Sequence, residues 1–185
     1  MNGEDTSTSL VRAADGAVYA ANGFYELLDY DGAPDILADA GVANGLVAVG
    51  STGAIVLTGT IFGPVALRVE IHAAAPPIDV AGWEKVVEVE QYTPSGTVSV
   101  NAPTDGAVED LPALETTADS WYRIRVHARG IEEARNYATT VPRPIEHHLV
   151  QLWPEAPQTD DIKFPNPALR EYRHLHPTSP PSMPL

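Results

Sequence analysis

Carboxylates between residues 26 and 39 form the densest chemistry-bearing group in the chain. Glu26, Asp29, Asp31, Asp35 and Asp39 fall within fourteen residues, with Tyr25 and Tyr30 beside them. Oxygen donors at this density suit a hard cation, and Asp29-Tyr30-Asp31-Gly32 resembles the opening of a calcium loop. The glutamate that closes such a loop at its twelfth position is missing. Aromatic side chains inside an acidic rim suit a basic protein partner better, because the rim meets its cations while the rings pack against it. Glu26, Asp29, Tyr30, Asp31 and Asp35 are therefore the expected partner-binding residues.

Other constellations offer less. His147 and His148 are adjacent in a strand-like run, so their side chains point to opposite faces and cannot share an ion. His174 and His176 would share one side of an extended segment, but no third ligand accompanies them and no metal site is expected. His127 alternates with Arg123, Arg125 and Arg129, which reads as a surface histidine among arginines. The absence of cysteine excludes thiolate metal sites, disulfides and cysteine nucleophiles. No Gly-x-Ser-x-Gly elbow occurs, and Gly50-Ser51-Thr52-Gly53 lacks the helix and lysine of a phosphate loop. Nothing singles out two acids for glycoside chemistry. The expectation is a non-enzymatic protein without cofactor, with an unrecognised hydrolase or metal-dependent enzyme as one alternative. A carbohydrate or small-ligand binder that stacks its ligand on Trp83 or Trp121 is the other. For Trp83, Trp121 and Trp153, packing at the ends of strands is the plain reading.

The elements that must carry these residues are strands. Tyr122, Ile124, Val126 and Ala128 alternate with Arg123, Arg125, His127 and Arg129, the period of a strand with one face to a core and one to water. From Glu84 to Gln91, Glu84, Val86, Glu88 and Glu90 alternate with Lys85, Val87, Val89 and Gln91. An acidic row beside a basic row predicts that the two strands pair and that cross-strand ion pairs fix their register. Further strand-like runs cover 46–49, 54–61, 65–73, 97–101 and 146–153. Asp15-Gly16 marks a tight turn between weak strands at 10–13 and 17–21, and a short helix is expected between Pro34 and Ala40. Residues 102–120 and 129–144 read as polar loops. Helix does not alternate with strand, so the prediction is an all-β fold, an antiparallel two-sheet β-sandwich of eight to ten strands, with a closed barrel as alternative. The expected boundaries are a flexible N-terminus at 1–9, the sandwich at 10–153 and an extended Pro-rich tail at 154–185, where eight of the 17 prolines lie.

Charge narrows the partners. With 11 basic against 25 acidic residues the formal net charge is −14. Such a surface repels nucleic acid and anionic membrane and steers towards basic proteins. No secretory signal and no apolar run of membrane-spanning length is present, so a cytoplasmic location is expected.

The segments Gly82–Glu90, Trp121–Gly130 and Glu146–Pro154, in this order, resemble a group of uncharacterised small bacterial all-β proteins. More distantly, the layout is similar to the competence J family, inhibitors of a DNA-entry nuclease. The shared features are an acidic N-terminal half, an Ala/Gly turn before a strand over Val42–Val49, and a late strand bearing Trp153. The resemblance implies an all-β binding protein with an inhibitor or immunity role against a nuclease or toxin. It concerns scaffold positions and carries over no functional residue.

Overall fold

In the computed structural model, residues 9–29, 44–111, 113–159 and 161–164 are described. Their chain runs through β1 (Leu10–Ala20), β2 (Phe24–Asp29), β3 (Val47–Val49), β4 (Gly53–Leu57), β5 (Gly63–His72), β6 (Lys85–Thr93) and β7 (Thr97–Ala102). Two-residue strands β8 (Gly106–Ala107) and β9 (Leu114–Glu115) precede β10 (Ser120–Arg129). A short helix α1 (Ile131–Arg135), β11 (His147–Pro154) and β12 (Asp161–Phe164) complete the order. One sheet has the order β1-β5-β11-β10-β6-β12; the other has β3-β4-β2-β7-β8, with β9 also on β7. Among the described residues the strand pairings are antiparallel except β11 on β5, which is parallel.

The architecture is the expected two-sheet all-β sandwich. Val65, Leu67, Val69, Val87, Val89, Ile124, Val126, Val150 and Leu152 of the first sheet pack against Tyr25, Leu27, Ala54, Val56, Val98 and Val100 of the second. Each of these residues sits at a period-two position, so the pleat delivers it inward. Two local expectations are corrected. Asp15-Gly16 is no turn: β1 continues through it as one strand, with Asp15 opposite Arg68 of β5 and joined to it at 2.6 Å. The segment 129–144 contains α1, which begins at Gly130 in the left-handed conformation that glycine accepts without strain. The Glu84 carboxylate accepts the amides of Gly130, Ile131 and Glu132 at 2.8, 3.0 and 3.3 Å and so fixes this corner. Beyond Pro154, residues 161–164 add β12 to the free edge of β6. The expected helix between Pro34 and Ala40, the termini and His174 and His176 lie outside the described residues.

The predicted pairing of β6 with β10 is present, with Arg125 opposite Glu88 and Arg123 opposite Glu90. The expectation that the charged rows face water is overturned. Arg123, Arg125 and Glu88 are 3%, 2% and 6% exposed, and His127 is equally buried. The outer face of the first sheet is roofed by the chain around Pro76-Pro77 and by residues 155–159. Arg125 donates from Nη1 to the Pro76 and Pro77 carbonyls at 3.0 and 3.2 Å, and its guanidinium lies 4.8 Å from the Trp153 ring centroid. Arg123 donates to the Gln158 and Thr159 carbonyls at 3.3 and 2.9 Å.

Under this roof a polar ladder crosses five strands. Gln151 of β11 donates to Glu70 of β5 at 2.9 Å and accepts from Arg125 of β10 at 3.2 Å. Arg125 Nε then meets Glu88 of β6 at 2.7 Å, and Lys163 of β12 reaches the same carboxylate at 3.3 Å. Arg123 Nε completes the set at 3.4 Å. Glu88 thus pairs with three cations. Removing one partner of a buried ion pair strands the others without water, which costs about 3–5 kcal/mol. Glu88→Ala is therefore expected to lower the unfolding free energy by about 3–5 kcal/mol in urea titration. A loss below about 1 kcal/mol would place these guanidinium groups in solvent instead.

Candidate functional site

Of the residues expected to meet a partner, the two that are described, Glu26 and Asp29, lie on opposite rows of β2. Glu26 lies on the outward row of β2, half-buried, and burial raises its carboxyl above the ordinary value. Asp29 closes the same strand on the opposite row and is buried. Its two carboxylate oxygens accept the Ser95 amide at 3.2 and 3.1 Å, fastening the turn between β6 and β7, and its own amide donates to the Thr52 carbonyl at 3.0 Å. Asp29 therefore ties the end of β2 to the β6–β7 turn. Tyr30, Asp31 and Asp35 lie outside the described residues.

A hydrogen-bonded set not anticipated from the sequence joins the two sheets. The Tyr25 hydroxyl lies 3.1 Å from His148 Nδ1, and His148 Nε2 lies 2.9 Å from Glu146 Oε1. Glu146 also accepts the Gly59 amide at 3.1 Å, the Thr60 amide at 2.9 Å and the Thr60 hydroxyl at 2.8 Å. Burial alone would raise the Glu146 carboxyl, but the donors, His148 first among them, hold it below the ordinary value. Burial followed by the Glu146 charge pushes the Tyr25 hydroxyl well up. Hydroxyl, imidazole and carboxylate in line have the look of a proton relay. Tyr25 and Glu146 have no exposed surface, however, so the set braces the core and meets no substrate.

Two concavities open on the outer face of the first sheet. One, of about 400 Å³, is lined by Asp15, Arg68, Trp83, Arg129, His147 and Leu149 among others. Its charges are largely spent within the chain, since Arg68 bonds Asp15 and Glu70 at 2.6 and 2.7 Å, and the Arg129 guanidinium sits 5.2 Å from the Trp83 ring centroid. Trp83 also leans on His127, with centroids 5.2 Å apart. The second, of about 510 Å³, is formed by Val49, Gly50, Ser51, Glu90, Tyr92 and Trp121. Trp121 is 40% exposed, and its ring packs on Tyr92 at 5.3 Å with a 47° tilt. Among the described residues no group of three or more histidines and acids converges on a metal position, and no helix is long and apolar enough to cross a membrane.

Fold and surface together define a two-sheet all-β scaffold whose charged interior is structural. Solved structures with this architecture include the protein described as crocagin biosynthetic gene J, 14% identical, with 78% of this chain and 98% of that chain covered at a TM-score of 0.53. They also include ComJ, inhibitor of the DNA degrading activity of NucA, from Bacillus subtilis, 9% identical, with 81% and 100% covered at a TM-score of 0.53. At these identities the likeness is one of fold, and this chain distantly resembles the ComJ family, as its layout implied. No protein-family profile matches the chain, and no curated protein matches it in sequence.

His127 gives a pH signature to this architecture. Burial, then the Arg125 charge, lowers its pKa from 6.5 to about 4. An unfolded chain binds a proton on this histidine near 6.5, whereas the folded chain does not until about 4. Stability is therefore untouched by His127 above 6.5 and falls as pH drops from 6.5 towards 4. Glu70 and Glu146, both held below the ordinary 4.5, add their losses only under that value. Urea midpoints of the wild type should thus fall between pH 6.5 and 4.5, and the His127→Phe variant should lose most of that fall. An unchanged slope in the variant would refute the assignment to His127.

Proposed function

We propose that this protein is a non-enzymatic binding module that docks on a basic nuclease or toxin and masks it. The observation that carries the reading is a net charge of −14 on the fold of a nuclease inhibitor. Excess carboxylates raise the encounter rate with a positively charged partner through long-range attraction, and aromatic side chains supply the desolvated contact once the surfaces meet. In this reading Glu26, Tyr30, Asp31 and Asp35 are contact groups of the acidic stretch, and Asp29 anchors its start at Ser95. A cytoplasmic site of action belongs to the same proposal. Stacking of a carbohydrate is less well supported, because the Trp121 and Tyr92 rings are tilted by 47° and Trp83 is engaged by His127 and Arg129. Catalysis is less well supported because the proton-relay geometry is sealed in the core.

A DNA-degradation assay with basic nucleases from the source organism tests the proposal. Stoichiometric addition of this protein should protect plasmid DNA from one of them, and high salt should weaken the protection. Glu26→Lys, Asp31→Lys and Asp35→Lys combined should slow association by about tenfold or more while the far-ultraviolet spectrum is retained. Full nuclease activity at about tenfold excess of the protein, with no complex on gel filtration, would contradict it.

A further inference from the structure

The second concavity differs from the rest of the surface in one respect. Glu90 lies in it beside the Trp121 and Tyr92 rings, and among the described residues its carboxylate makes no hydrogen bond and no ion pair. Its opposite neighbour on β10 is Arg123, but that guanidinium is committed to Glu88, Gln158 and Thr159 and is buried beneath the roof. A carboxylate without a cation therefore stands next to two aromatic rings, one of them 40% exposed, with the exposed Val49 across the opening. A second acid, Asp119, accepts the Tyr92 hydroxyl and orients that ring. Rings attract cations over their faces, and a half-exposed carboxylate attracts them more strongly. The six lining residues contribute one acid and no base. The acidic stretch also starts close by, because the Asp29 amide bonds the carbonyl of Thr52, next to the lining residue Ser51.

We infer that this concavity is the seat of an arginine or lysine side chain projecting from the basic partner, paired with Glu90 and lying against Trp121 and Tyr92. The inference rests on the proposed binding of a basic protein and locates its anchor on the outer face of the first sheet, about the β3–β4 hairpin. Val49 and the aliphatic stem of the incoming side chain would complete the contact.

A titration of the ¹⁵N-labelled full chain with hexa-arginine peptide at low salt, followed by NMR, tests it. The three indole N–H signals are assigned with Trp83→Phe, Trp121→Phe and Trp153→Phe variants. The Trp121 indole and the Glu90 and Tyr92 amides should move saturably, while the Trp83 and Trp153 indoles stay still. Glu90→Gln, which removes charge from a group without internal partners, should weaken the peptide by about tenfold. Trp121→Ala should do the same if both variants keep the wild-type dispersion of signals. Shifts confined to Glu26 and the residues after Asp29, with Trp121 unmoved, would remove this seat yet leave the basic-partner reading standing. Absence of peptide binding anywhere would count against both. A Trp121 signal that moves in an Arg170→Gln, Arg173→Gln variant without peptide would give the seat to the chain's own C-terminal segment and overturn the proposal.

Discussion

Glu88 is the group on which the outer half of this molecule depends. Two arginines and a lysine converge on one carboxylate that is almost out of water, and each would be costly there alone. Attraction to Glu88 does not satisfy the donors of two guanidinium groups, so further acceptors are needed. Carbonyls of Pro76, Pro77, Gln158 and Thr159 supply them. This is why two stretches without strand periodicity lie against the sheet rather than in solvent. The same constraint fixes register. A slip of one residue between β6 and β10 would turn Arg123 and Arg125 towards Ile124's place in the apolar core and expose the valines, an arrangement with no compensating partner.

Withdrawing these arginines inside the roof has a consequence at the surface. Arg123 and Arg125 are unavailable to an anionic ligand, and Arg68 is shared between Asp15 and Glu70. Acids are withdrawn as well, but for local tasks. Glu84 caps the start of α1, Asp29 holds the Ser95 turn and Glu146 ties the 59–60 loop to His148. Among the described residues Glu90 has no such task. It borders the internal network without belonging to it, and among the described residues no arginine lies over the exposed Trp121 ring next to it, unlike the rings of Trp83 and Trp153. A scaffold that spends its own cations internally presents carboxylates outward.

Much of this was legible in residue order. The alternation at 84–91 and 121–129, with acids on one segment and bases on the other, pointed to the pairing of these two strands and to ion pairs that fix their register. The burial of that charged face was not legible, because it is imposed by Pro76-Pro77 and residues 155–159, which carry no period that announces where they pack. Asp15-Gly16 misled for a related reason: a local turn preference yields to Arg68 on the neighbouring strand, which holds Asp15 within an extended ladder. Glu146 and His148 did leave a signal. They fall on the same row as Val150 and Leu152, so two polar groups on an apolar face had to satisfy one another or a buried partner. Glu90 was visible on the acidic row, whereas Trp121 read as packing at a strand end; it is exposed instead, and the concavity it shares with Glu90 requires the β3–β4 hairpin of the other sheet.

The burial of Arg123 and Arg125 is open to direct observation through their side-chain Nε–H signals in a ¹H–¹⁵N spectrum, assigned with single lysine substitutions. Closed under the roof and donating to Glu88, these two should persist after transfer into D₂O, while the signals of exposed arginines such as Arg129 and Arg135 vanish at once. Loss of all arginine Nε–H signals together on transfer would mean that the charged face is open to water and that the ladder centred on Glu88 does not hold the structure.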